Sequence, residues 1–209
     1  MPTRLQSSIP NALTLSRLLL SCALFGILEY ATRTGLPAAA LNLACALFIL
    51  AAATDALDGL LARRWQVVSR FGRVMDPFCD KLLVLGSLFY FAGPGFVVDG
   101  VNATGFSVWM ILLIFARELL VTTMRGLIES GGDSFAAASS GKAKMVLQSL
   151  AIPVILLLLA NSGLAHPASA PHWALLTRDI LVWSTTLVTV LSGLPYLVAF
   201  ASAPGPSAR

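Results

Sequence analysis

Residues 37–61 read PAAALNLACALFILAAATDALDGLL; a basic stretch, ARRWQVVSRFGRV, follows at 62–74, and then MDPFCDKLLVLGSLFYFAG at 75–93. The first of these runs is apolar for long enough to cross a bilayer, since a helix of ~20 residues spans the hydrocarbon core. The third run has the same length and character after its first few residues. Backbone groups in lipid must bond within their own segment, so both runs are expected to be helices, joined by a short basic loop. Yet the facing ends of these helices carry four carboxylates: Asp55 and Asp58 on one, Asp76 and Asp80 on the other. On the most lenient insertion scale each ionised carboxylate in hydrocarbon costs at least ~2.5 to 3.5 kcal/mol. Four together need a compensating partner, and divalent metal ions suit them.

The rest of the chain has the same composition. Of its 209 residues 57% are hydrophobic and 11% charged, with a mean hydropathy of +0.82, against roughly a quarter charged in soluble proteins. This is the composition of an integral membrane protein. Further apolar segments lie at about 13–31, 106–129, 143–162 and 174–200, which makes six spans with those at 37–61 and 75–93. Turn signals separate them: Gly35 before Pro37, Gly93-Pro94-Gly95, Gly131-Gly132, and Pro167 with Pro171. The expected fold is all-α: one six-helix membrane domain over residues 13–200, an interfacial lead-in at 1–12 and a flexible tail at 201–209. Arg4, Arg63, Arg64, Arg70, Arg73, Lys142, Lys144 and Arg209 fall on one face of such a bundle. That face is expected to be cytoplasmic, with both termini inside.

The formal charge of +4 does not indicate nucleic acid, because the basic residues sit at a membrane edge and within spans; anionic head groups and phosphorylated substrates account for them. Cys22, Cys45 and Cys79 all fall within spans and read as packing residues. Asn102-Ala103-Thr104 matches a glycosylation sequon, a common triplet that nothing else in the chain supports. His166 and His172 are too few for a metal site, and Arg178 with Asp179 reads as a structural ion pair or a water-facing one.

Asp55 and Asp58, three apart, share one helix face, and Asp76 and Asp80 are four apart near the start of the next helix. Antiparallel neighbours would bring the pairs to one depth and present the oxygen-rich surroundings that Mg2+ or Mn2+ requires. Two metals ~3.5 to 4 Å apart could share such a set. Gly59 stands inside a helical pattern at a cost of about 1 kcal/mol relative to alanine, which points to close approach by a ligand. Ala62 and Gly72 also leave room, and Arg63 supplies a planar fork suited to phosphate. Pro77 either starts the third helix with Asp76 as its cap or kinks that helix beside the site. Arg117 and Arg125, on almost the same face of the fourth span, could form with Lys142 and Lys144 a phosphate-binding wall. The structural alternative is that Arg117 pairs with Glu118 or with another helix.

The pattern D-x2-D-G-x2-A-R-x8-G-x3-D-x3-D over residues 55–80 resembles the signature of the CDP-alcohol phosphatidyltransferases at every fixed position. The resemblance implies two divalent metals on Asp55, Asp58, Asp76 and Asp80, with Asp80 also the base for the acceptor alcohol. It places Gly59, Ala62, Arg63 and Gly72 around the nucleotide. The segment from Ile9 to Thr14 with Arg17, the Asp76-Pro77 and Asp80-Lys81 pairs, Ala116-Arg117-Glu118 with Arg125, and Gly141-Lys142 with Lys144 and Gln148 are similar to the branch that makes phosphatidylglycerol phosphate. Ser69, Cys79 and Met145 depart from that branch without touching the charge arrangement. Asn11 and Thr14 are then expected at the CDP-lipid, and Arg117, Arg125, Lys142 and Lys144 at the phosphate of the acceptor. The implied substrates are CDP-diacylglycerol and sn-glycerol 3-phosphate, in a homodimer among the lipids of a bacterial inner membrane with its site facing the cytoplasm. Inositol phosphate, serine or phosphatidylglycerol are the alternative acceptors. A divalent-cation transporter is the rival from another class, and it leaves Gly59, Ala62, Arg63 and Gly72 unexplained.

Overall fold

The computed structural model describes residues 4–65, 70–130 and 139–201, and the side chains of 12–55, 57, 75–124, 126 and 143–198 within them. Six long helices stand where the six apolar segments were read: α1 (Arg4–Arg33), α2 (Ala38–Trp65), α3 (Arg70–Ala92), α4 (Val108–Ser130), α5 (Ser139–Asn161) and α6 (His172–Leu191). A short α7 (Leu194–Ala201) ends the described chain. Packing between neighbours closes a ring in the order α1, α2, α5, α6, α4, α3, with α3 also touching α2 and α5 across it. Among the described residues four stretches are long and apolar enough to cross a membrane: Ala12–Arg33, Ala38–Asp55, Ala143–Asn161 and His172–Val198. α3 brings Asp76, Asp80 and Lys81 into its apolar stretch, and the side chains of α4 are described without a break only to Met124.

The outer surface is apolar all round, with Leu19, Val146, Leu187 and Val198 among many large side chains left exposed. A helix hydrophobic on every face is a membrane helix, its outward residues meeting lipid. The core holds Leu24, Leu41, Phe48, Leu88, Ile114 and Ile155, all at most 1% exposed. Close helix approach is set locally by small residues: a Cβ on Gly86 would stand 2.3 Å from Cζ of Phe25, so its absence lets α1 and α3 pack ring against backbone. Asn42 and Asn161 exchange side-chain hydrogen bonds of 3.3 and 2.9 Å between α2 and α5.

One local feature settles an alternative and two differ from the expectation. Pro77 lies inside α3, seven residues after its start, so Asp76 is not an N-cap, and the helix lacks one backbone N–H beside the site. The sixth segment is two helices, broken at Ser192-Gly193 and restarted just before Pro195, whose ring cannot continue a helix from behind. Residues 97–102 form a small antiparallel hairpin, Val97–Val98 (β1) with Val101–Asn102 (β2). Asp99 and Gly100 turn it, both at positive φ (51° and 79°), the geometry that two-residue hairpin loops require.

This hairpin also disposes of the sequon. The Asn102 amide donates to the carbonyls of Phe91 (2.9 Å) and Phe106 (3.1 Å), and its oxygen accepts from the Thr104 backbone and hydroxyl. Ala103 and Thr104 are fully buried. The triplet is a structural knot that closes the end of the bundle away from the carboxylates. There too, Arg178 pairs with Asp179 at 2.7 Å and donates to the Ala103 carbonyl, its own side chain buried while Asp179 stays half exposed. All three cysteines are free thiols, Cys45 and Cys79 buried in packing.

Candidate active site

The carboxylates are reached from α1. Thr14 and Arg17, three apart, share a face of that helix and both are buried. The Thr14 hydroxyl donates to Oδ1 of Asp76 at 2.7 Å, and Nη1 of Arg17 stands 2.8 Å from Oδ1 of Asp55. One helix thus supplies a hydrogen-bond donor to one arm of the acidic set and a counter-charge to the other, and a hydrogen bond to a charged acceptor is the stronger kind. The Arg17 side chain is fully buried, whereas Asp55 keeps 44% of its side chain exposed. Asp55 therefore turns one oxygen inward to the guanidinium while the rest of the carboxylate stays accessible.

Asp80 lies one helical turn beyond Asp76 on α3. It lines one crevice with Glu118 and Lys144 and also feels the charges of Asp55 and Arg17. Among the described residues no three His, Cys, Asp or Glu side chains form a ready metal cage; Asp58, the fourth carboxylate of the motif, lies outside the described side chains. The donors that are described fit a hard divalent cation by type: carboxylate oxygens, two of them oriented by fixed donors on α1.

On the far side of Asp80, Glu118 of α4 is buried and accepts from two cations through one oxygen. Nη1 of Arg117 reaches Oε1 at 3.2 Å, and Nζ of Lys144, from α5, binds the same atom. Arg117 turns away from the carboxylates: its Nη2 donates to the Ser192 carbonyl at 3.1 Å, where α6 ends, and its guanidinium lies 6.0 Å from the centroid of the Tyr196 ring. Gly193 makes room for it, since a Cβ there would stand 3.1 Å from Cγ of Arg117. The pairing of Arg117 with Glu118, open as an alternative in the sequence, is thus present, together with a second anchor on α6. A narrow crevice joins this cluster to Asp80, with Asp80, Lys81, Glu118, Lys144 and Gln148 in its walls. Lys81 is held by Thr122 at 2.5 Å and Gln148 by Thr189 at 3.2 Å.

The structure thus brings Thr14, Asp55, Asp76, Asp80, Arg117 and Lys144 to one end of the bundle. The side chains of Asn11, Asp58, Gly59, Ala62, Arg63, Gly72, Arg125 and Lys142 lie outside those described. Two residues had no place in the sequence-based site: Arg17, noted only within an N-terminal motif, and Glu118, weighed only as a partner for Arg117. Both are charges within apolar runs, the one signal that marked them. An open groove of about 510 Å³ between Arg33 and Phe89 is at the other end of α1 and α3. Its Arg33 and Glu29 pair with each other at 2.6 Å.

Fold and site together define a membrane-embedded transferase: the chain belongs to the CDP-alcohol phosphatidyltransferase family, whose model matches residues 7–191. Three similar proteins carry the name CDP-diacylglycerol–glycerol-3-phosphate 3-phosphatidyltransferase. The one from Rickettsia prowazekii is 30% identical over 94% of this chain and 97% of its own length. The Bacillus subtilis protein is 32% identical over 72% of this chain and 69% of its own. That of Cereibacter sphaeroides is 35% identical over 76% and 66%.

Proposed function

We propose that the chain transfers the phosphatidyl group of CDP-diacylglycerol to the primary hydroxyl of sn-glycerol 3-phosphate, releasing CMP and leaving phosphatidylglycerol phosphate. The names of the similar proteins support the acceptor. The observation that carries the reading is the two-sided site: carboxylates held by Arg17 and Thr14 on one side, Lys144 and Arg117 gathered by Glu118 on the other, and Asp80 between them.

Asp55, Asp58, Asp76 and Asp80 would hold Mg2+ or Mn2+, two ions per site, which when bound neutralise the diphosphate and make CMP a better leaving group. Gly59, Ala62, Arg63 and Gly72, with Asn11 and Thr14, receive the CDP moiety, while the acyl chains stay in the bilayer. Arg117, Arg125, Lys142 and Lys144 form the cationic side toward the acceptor phosphate. The acceptor hydroxyl attacks the phosphorus bonded to diacylglycerol; the new P–O bond forms as the bond to CMP breaks, and CMP leaves with the electron pair. Asp80 takes the hydroxyl proton as attack proceeds and passes it to water. A carboxylate of ordinary pKa ~3.9 cannot deprotonate an alcohol beforehand, so the transfer must be concerted with attack. The reading includes six spans with both termini cytoplasmic, the chemistry at the inner leaflet of a bacterial inner membrane, and a homodimer.

The test is CMP release by the purified protein in detergent with CDP-diacylglycerol and Mg2+, comparing glycerol 3-phosphate with inositol phosphate, serine and phosphatidylglycerol. Release that depends on glycerol 3-phosphate is expected. Release with another acceptor keeps the family reaction and overturns the acceptor; metal flux through proteoliposomes without CDP-lipid would favour a transporter.

A further inference from the structure

Glu118 is a buried carboxylate within an apolar helix, on the wall of the crevice that also holds Asp80. Neither the metal chemistry nor the proton transfer uses it. Its Oε1 is shared by the ammonium of Lys144 and the guanidinium of Arg117. Lys144 is itself buried and comes from a different helix, α5. A lysine has four rotatable side-chain bonds and is a point charge with no preferred direction, so its position is set by whatever receives it. Here that is Glu118. Arg117 is fixed from both ends, by the same carboxylate and by the carbonyl of Ser192 at the end of α6. One carboxylate oxygen serving two cations leaves the cluster with a surplus positive charge, and its Lys144 lines the same crevice as Asp80, beside which a phosphorylated alcohol would present its hydroxyl.

We infer that Glu118 is the positioning residue of the acceptor site: it holds Lys144 on the crevice wall that Asp80 shares, and is itself held by Arg117, which is anchored at the end of α6, so that a preformed cation from α5 meets the acceptor phosphate. This rests on the glycerol 3-phosphate reading for the identity of the acceptor, but not for the pairing. Glu118 touches no reacting atom; it acts through Lys144.

The experiment separates the Michaelis constants of the two substrates. In Glu118→Gln the geometry of the side chain is kept and its charge removed. The KM for glycerol 3-phosphate is expected to rise about tenfold, with the KM for CDP-diacylglycerol within about twofold of wild type, since only the binding of one substrate is loosened. Lys144→Met is expected to raise the same KM by a similar factor. The double variant should stay near the single ones, about tenfold rather than a hundredfold, because two residues acting through one contact are not additive. Equal changes in both KM values, or full multiplication in the double variant, would show a merely structural role and overturn the inference. Glu118→Asp, which keeps the charge but shortens the reach, is the second probe if Glu118→Gln is not recovered folded. A rise in the acceptor KM alone is expected, and an unchanged one refutes the proposal. The acceptor panel is run on the wild type first. Use of a different acceptor overturns the glycerol 3-phosphate reading alone, and the split is then read with that acceptor; no CMP release with any acceptor overturns both.

Discussion

Replacing Arg17 by Met removes the counter-charge of Asp55 while filling most of the same volume, and the structure sets the size of the effect. An exposed ion pair contributes roughly 0 to 1 kcal/mol, and breaking a fully buried one costs roughly 3 to 5 kcal/mol through the charge left behind. This pair lies between those limits, with Arg17 fully buried and Asp55 44% exposed. The stranded carboxylate is partly reachable by solvent, so a loss of about 1 to 3 kcal/mol is expected. For a chain of this size about 1 kcal/mol moves the unfolding midpoint by roughly 2 to 4 °C. Arg17→Met should therefore melt roughly 2 to 12 °C below wild type when thermal unfolding is followed in detergent with divalent ions chelated. The double variant Arg17→Met with Asp55→Asn no longer strands a charge, and most of the loss should be regained. Failure of Asp55→Asn to recover stability in the Arg17→Met background would refute the pairing as the cause. So would an Arg17→Met midpoint unchanged from wild type.

Three further outcomes are expected. Gly86→Ala sets a methyl 2.3 Å from the Phe25 ring, and overpacking of this kind costs typically ~1 to 3 kcal/mol; the loss should be relieved in the double variant with Phe25→Leu, and urea or heat unfolding in detergent checks both. Asn102→Ala unties the amide from the Phe91 and Phe106 carbonyls and should lower the midpoint while CMP release at 25 °C stays near wild type, because the hairpin is at the opposite end of the bundle from Asp80. Chelation with EDTA should stop CMP release, with recovery on adding Mg2+ or Mn2+; full activity in EDTA, after dialysis against it, would remove the metals from the mechanism.

Helix positions were legible because each is a largely apolar run, bounded by glycine or proline except at the basic stretch between α2 and α3, and such runs have few alternatives in lipid. The details that escaped depend on competition between neighbouring signals. The Asp99-Gly100 turn was visible as a dipeptide, but the flanking strands are two residues each, too short for any alternation to register. The break at Ser192-Gly193 was hidden by apolar residues on both sides; what decides it is Pro195 just beyond, together with the space that Gly193 must leave for Arg117. Pro77 could have begun α3 or stood within it, and only the turns formed ahead of it from Arg70 onward put it within.

The acidic set was legible for a different reason: Asp55 and Asp58, and Asp76 and Asp80, are related by helical spacing within single elements, which a sequence displays directly. Their counter-charges are not. Arg17 meets Asp55 across 38 residues of sequence, and Lys144 meets Glu118 across 26, so neither pairing has a periodic signature. What the sequence does show is the anomaly itself, a charge within an apolar run that must find a partner or water. Reading every such charge as a question about its partner would have put Arg17 and Glu118 on the list from the outset. It would also have recast the site: the carboxylates are not simply waiting for cations from solution, because the chain already places a guanidinium against one arm and a hydroxyl against the other. A metal bound at Asp55 would then share charge with Arg17 rather than neutralise the cluster alone. This explains how the α1–α2–α3 corner can hold its shape in a membrane before any ligand arrives.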